Sequence, residues 1–240
     1  MVQTRMKRVM VAVTLSLVLV SGMASAAECV VLLHGLARTS SSFDAMQEAL
    51  EEDGYLTANI DYPSREYEIA ALADIAIGEG LASCRAGEDV EKIHFVTHSL
   101  GGILVRQYLS TQTVGELGRV VMLGPPNQGS DAVDDLVDVP GFDWVNGPAG
   151  HQLGKGETSV PLALGPVDFE LGVIAGNRTI DPITSAVLEN PDDGRVSVED
   201  TKIEGMDDFV IVEHSHAFMM RMQRPIELTK KFLRTGSFGN

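Results

Sequence analysis

The chain has 240 residues, 44% of them hydrophobic, with 34 acidic against 18 basic side chains and a formal net charge of −16. That length builds one sizeable core, the apolar content excludes wholesale disorder, and the acidity argues against nucleic acid or an anionic membrane as partner. No repeat or low-complexity tract interrupts it.

The N-terminus reads as an export signal. Arg5, Lys7 and Arg8 form a basic n-region, Val9 to Val20 an apolar stretch of twelve residues, and Ala24-Ser25-Ala26 a small-x-small site for cleavage before Ala27. The apolar run is short for a bilayer span, so no stable membrane anchor is expected after cleavage. A lipoprotein anchor is disfavoured as well, because Glu28 stands before Cys29, where a small residue is required. Residues 1–26 are thus a signal peptide and 27–240 a single domain, periplasmic or extracellular. Loss of the three basic signal residues takes the mature net charge to −19. In an oxidising compartment Cys29 and Cys84 either form one disulfide or remain two buried thiols.

In chain order, Cys29-Val30-Val31-Leu32-Leu33 reads as a strand covered on both faces, and Phe43 to Asp53 as a helix stopped by Gly54. Tyr55 to Tyr62 is a weaker strand closed by Pro63, and Ile69 to Cys84 a second helix. Ile93 to Thr97 is the next strand, Leu100 to Leu109 the next helix, and Val120 to Leu123 a strand ended by Gly124-Pro125-Pro126. Strand and helix alternating in this way predict an α/β fold with a mostly parallel sheet and helices on both faces. The rhythm breaks from Pro140 to Pro166, which carries many glycines and prolines. Gly172 to Gly176 and Phe209 to Val212 read as the last strands, and Ala217 to Leu233 as a closing helix kinked or split at Pro225.

Thr97-His98-Ser99-Leu100-Gly101-Gly102 lies at a predicted strand–helix joint. There a serine hydroxyl is lifted clear of the sheet by a sharp, strained turn with small residues around it. Thr97 departs from the usual first glycine, while Gly101 keeps the second. Capping of the helix is the ordinary role of such a serine. The placement together with His34-Gly35 after an earlier strand makes Ser99 the predicted nucleophile. The backbone N–H groups of Leu100, which opens the helix, and Leu36, after the first strand, are the predicted oxyanion donors.

A serine nucleophile needs a base, and there are six histidines. His34 precedes the nucleophile, His94 lies inside a strand and His98 sits on the turn itself. His34 is therefore read as a structural residue. After the last predicted strand come His214 and His216, of which His216, at the mouth of the closing helix, is the predicted base. A zinc site using both lacks a third ligand at diagnostic spacing. Pro191-Asp192-Asp193-Gly194-Arg195-Val196 places an acid in a tight turn; Asp193 is the predicted orienting acid and Asp192 the alternative. The acidic stretch does not have EF-hand spacing.

With these residues in view, the sequence resembles the bacterial α/β-hydrolase lipases and esterases, akin to triacylglycerol lipases. His34-Gly35-Leu36, the Ser99 turn, and Gly124-Pro125-Pro126-Asn127-Gln128-Gly129-Ser130 resemble the HGL, H-S-x-G-G and G-x-P-x-x-G-S signatures of that family. Asp193-Gly194-Arg195-Val196 resembles its D-G-x-V acid turn. The resemblance implies a secreted carboxylic ester hydrolase working through an acyl-enzyme without a cofactor. It also implies a first strand lying beside the one that leads to Ser99. Cys29 and Cys84 would then both sit at the bottom edge of neighbouring strands, which favours their disulfide. Calcium ligands of such lipases find no match here and are not carried over.

Residues 131–166 occupy the place of a lipase lid and carry Val133, Leu136, Val137, Phe142 and Trp144. A mobile apolar lid over a lipid-ester site and an ordinary packed helix with a loop are both compatible with that stretch. The rival readings of function are a thioesterase, amidase or acyltransferase on the same residues, and a non-catalytic binding protein on a hydrolase scaffold.

Overall fold

The apolar runs become strands because both of their faces are covered. The computed structural model describes residues 27–87, 89–180 and 182–239. The segment 1–26, expected from the sequence to be an export signal, lies outside the described residues. In chain order the elements are β1 (Ala27–Leu33), α1 (Asp44–Glu52), β2 (Leu56–Ile60), α2 (Ile69–Cys84), β3 (Val90–His98), α3 (Leu100–Leu109) and β4 (Leu117–Leu123). Then follow α4 (Asp131–Leu136), α5 (Phe142–His151), α6 (Val160–Ala163), β5 (Leu171–Gly176), α7 (Pro182–Ser185), β6 (Asp208–Val212) and α8 (Gln223–Thr235).

The strands form one sheet in the order β2-β1-β3-β4-β5-β6, and every neighbouring pair is parallel. Along β1 the side chains alternate between two cores. Val30 and Leu32 pack with Phe43, Met46 and Phe232 on the α1 and α8 face. Cys29, Val31 and Leu33 pack with Leu72, Ile77 and Leu104 on the α2 and α3 face. A strand that is apolar at every position is what a doubly covered parallel sheet requires.

The strand order reverses direction between β1 and β3. After β1 the chain leaves for β2 on one side, and after β3 it leaves for β4 on the other. The loops therefore diverge and open a crevice at the C-terminal ends of those two strands. His34-Gly35-Leu36 ends β1 and Ser99 ends β3, with Leu33 paired against Thr97. The two signatures flank one crevice.

The 140–166 region, where the strand–helix rhythm breaks, carries α5 and α6. Helix α5 escapes notice because Gly147 (φ 59°, ψ −169°) interrupts it and Pro148 follows. The closing helix begins at Gln223 rather than Ala217; a short 3₁₀ turn, Met219–Arg221, precedes it. Pro225 then falls in the first turn, where the missing N–H costs nothing. The disulfide Cys29–Cys84 is formed, but Cys84 is the last residue of α2 and not on a strand edge. It ties β1 to the helix that returns the chain to β3.

That bond closes a loop across 55 residues, and both cysteines are buried. Chain entropy assigns such a loop about 4 kcal/mol of stabilisation. The double variant Cys29→Ala/Cys84→Ala is therefore expected to lose about that much in urea unfolding. A midpoint equal to that of the wild type would refute the assignment.

Candidate active site

Ser99 sits at φ 53°, ψ −119°, between the last residue of β3 and the first of α3. A side chain at positive φ costs on the order of 1–3 kcal/mol, which the surrounding bonds must hold in place. Ser99 N–H donates to Leu123 O at 2.9 Å, and Ser99 O accepts from Gly102 N–H at 3.0 Å. Gly101 is obligatory here: a Cβ would stand 2.6 Å from Leu33 O. The turn thus packs directly on the end of β1. Leu36 lines the same cavity as Ser99, and Leu100 opens α3 immediately behind the serine.

Of the two candidate bases, His216 lines that cavity and His214 is not among its lining residues. His216 Nδ1 donates to Asp193 Oδ2 at 2.7 Å, and His216 N–H donates to Asp193 O at 3.0 Å. That bond places the proton on Nδ1 and leaves Nε2 as a lone pair. Asp193 is 1% exposed, and its Oδ1 accepts the Arg195 and Val196 N–H groups at 3.0 and 2.9 Å. Asp192 is engaged elsewhere: it accepts Ser185 Oγ–H at 2.7 Å and Gly194 N–H at 2.7 Å. Gly124, at φ 56°, leaves room for the pair, since a Cβ there would lie 3.0 Å from both Asp193 Oδ2 and His216 Nδ1. The structure pairs His216 with Asp193 and sets His216 on the cavity that Ser99 lines, while Asp192 and His214 are not among that cavity's lining residues.

The 124–130 segment holds the acid turn. Asn127 Nδ2 donates to Thr201 O, Gln128 N–H to Asp200 O, and Ser130 Oγ–H to Arg195 O. Arg106, buried on α3, donates to Asn127 O and Oδ1, Pro161 O and Gly165 O, so it pins the same segment to the chain leaving the cap. Burial among neutral acceptors lowers its pKa to about 10.

The roles of three further residues escape sequence reading. His98 Nε2 donates to His216 O at 3.0 Å, and the two rings lie 4.5 Å apart. Its side chain therefore supports the loop that carries His216. Arg38 and Arg195 both line the cavity, although loops distant in sequence supply them. The cavity measures about 440 Å³.

His34 has the structural place expected of it. Its Nδ1 donates to Gly35 O at 2.8 Å, its Nε2 accepts Tyr62 N–H at 3.3 Å, and its ring stacks on Tyr62. Burial lowers the pKa of His34, His94 and His98, and for His98 the nearby His216 lowers it further. Unfolded, these histidines titrate near 6.5, so below that pH the unfolded chain takes up protons that the folded chain refuses. Each such group removes about 1.4 kcal/mol per pH unit until its own folded pKa is reached. Stability is expected to be level above about pH 7 and to fall between pH 6.5 and 5.5. Urea midpoints across that range measure it; a midpoint that rises on acidification contradicts it.

The chain matches the model of the alpha/beta hydrolase family over residues 30–173. A comparison with curated proteins gives no match. Among solved structures, it is similar to the mature lipase BlEst2 of Bacillus licheniformis, with TM-score 0.67 and 18% identity, covering 90% of this chain and 95% of that one. It is similar too to the metagenomic carboxyl esterase MGS0156, with TM-score 0.63 and 21% identity over 80% and 65% of the two chains. Phospholipase PlaB of Legionella pneumophila gives TM-score 0.63 and 17% identity over 82% and 55%. A parallel sheet reversing at β1 and β3, a serine on a strained turn and a family match over more than half the chain lead to one conclusion: the protein belongs to the alpha/beta hydrolase family.

Proposed function

We propose that the protein is an exported serine hydrolase of carboxylic esters, with Ser99 as nucleophile, His216 as general base and Asp193 as orienting acid. The observation that carries this is the buried Asp193–His216 hydrogen bond, on the same cavity as a serine held at φ 53°. His216 Nε2 takes the proton of Ser99 Oγ as that oxygen attacks the ester carbonyl. The carbonyl oxygen, now an anion, is held by the N–H groups of Leu36 and Leu100. Collapse expels the alcohol, which leaves with the proton from His216. Water, deprotonated by the same imidazole, then releases the acid and restores Ser99. Asp193 balances the imidazolium formed in each half. The names of the neighbours, a lipase, a carboxyl esterase and a phospholipase, favour esters over the thioester and amide alternatives. Export accords with the disulfide.

The cap formed by residues 131–166 is proposed to accommodate the apolar part of the ester. Ala132, Val133, Leu136, Phe142 and Val145 line the cavity, while Trp144 and Val139 stand 82% and 49% exposed on the outside. An apolar outer surface on a cap supports contact with a lipid phase.

The test is covalent labelling by a fluorophosphonate, with the modified peptide identified, followed by rates on 4-nitrophenyl esters of rising acyl length. Modification at Ser99 and turnover of esters are expected. A protein that neither labels nor turns over any ester is a binding protein on this scaffold. A rate on the longer esters that does not jump at their solubility limit removes the lid.

A further inference from the structure

The charge of the cavity runs against the charge of the chain. Acidic residues outnumber basic ones by 34 to 18, yet the residues lining the Ser99 cavity include Arg38 and Arg195 and no carboxylate. The cap over the site is itself acidic, but none of its carboxylates lines the cavity, and three of them have other partners. Asp131 pairs with Lys155, Asp134 accepts Lys155 N–H, and Asp143 meets His151.

Arg38 is the sharper of the two. It is half-buried, two residues beyond Leu36, and among the described residues its guanidinium has no hydrogen-bonded or ionic partner. Its charged neighbours are other cations: burial first, then Arg221 and Arg195, lower its pKa. Arg221 is itself occupied, donating to Ser41 O and Ser42 O. A partly desolvated guanidinium without a counter-ion is costly, and a planar fork of donors fits a carboxylate or phosphate bidentately.

We infer that Arg38 binds an anionic group on the substrate, so that the favoured ester carries a carboxylate or phosphate close to the scissile bond. The inference rests on the hydrolase reading of Ser99 and names the substrate class for that site. A bound anion neutralises Arg38 and is drawn by the positive potential to which Arg195 adds, while the ester carbonyl lies beside Leu36.

The experiment compares pairs that carry the same ester and differ in an anionic group, on the mature protein. For an anion on the acyl side, 4-nitrophenyl hydrogen succinate is set against its methyl ester. For an anion on the alcohol side, monobutyrylglycerol phosphate is set against monobutyrylglycerol. The readout is the ratio of kcat/KM, anionic over neutral. The expected ratio is about tenfold or more in the arm that matches the site. It is expected to fall at least about tenfold in Arg38→Ala, carried by KM, and to survive in large part in Arg38→Lys. Raising the ionic strength from about 0.02 to 0.5 M is expected to lower it in the wild type, a measurement that needs no variant. A merely structural Arg38 would depress both members of a pair and leave the ratio unchanged, which overturns the inference. So does a ratio at or below one in both arms. Turnover with no discrimination sinks this inference alone, whereas no turnover and no labelling of Ser99 sinks the hydrolase reading with it.

Discussion

Ser99→Ala is expected to lower kcat/KM on a 4-nitrophenyl ester by about 10⁴-fold or more, while the urea midpoint stays within experimental error of the wild type. The two halves of that expectation come from different parts of the same turn. The hydroxyl is the attacking atom in the proposed mechanism, and the other serine on the cavity, Ser130, is committed to the Arg195 carbonyl at 2.8 Å. No second activated hydroxyl on the cavity stands ready to replace it. The backbone is a separate matter. Alanine at φ 53° carries the same Cβ strain as serine, so nothing in stability changes. Glycine relieves that strain, and Ser99→Gly is accordingly expected to be more stable than the wild type by about 1–3 kcal/mol and equally inactive. An Ala variant keeping more than about a hundredth of the rate leaves the nucleophile to be sought elsewhere.

Much of this site is legible in the sequence because its signals are local. Val30 to Leu33 and Val120 to Leu123 are apolar at consecutive positions, as doubly covered strands must be. Gly101 follows Ser99 at the one offset where a Cβ would strike the neighbouring strand. What sequence reading misses depends on distance. His98 acts on a carbonyl 118 residues away, and Arg38 meets Arg195 only because the loop after β1 and the acid turn converge on one cavity. Helix α4 is a short acidic turn of six residues and α5 is broken at Gly147, so neither periodicity nor propensity marks them. The disulfide pairing follows from having two cysteines, but its site does not: placing Cys84 on a strand ignored the helical run that ends in it.

Asp193 is preferred to Asp192 in the sequence for its place beside Gly194, and the contrast between the two acids gives the second large effect. Asp193→Asn is expected to cost about 10⁴-fold in kcat and Asp192→Asn less than about tenfold. The reason lies in how the Asp193 carboxylate is divided. Oδ1 accepts two backbone N–H groups, from Arg195 and Val196, and Oδ2 faces His216 Nδ1. An asparagine there keeps its oxygen toward the two backbone donors, which an amide nitrogen cannot replace. Its NH₂ is thereby forced against His216 Nδ1, which must give up its proton to accept the bond. The imidazole then carries its proton on Nε2, the nitrogen required to take one from Ser99. Geometry survives and the tautomer is wrong, so the unfolding midpoint should hold while the rate collapses. The Asp192 carboxylate accepts from Ser185 and Gly194, and no proton of the proposed mechanism passes through either. The reverse ranking, Asp192→Asn the more damaging in kcat, would move the acid by one residue and break the proposed division of labour around His216.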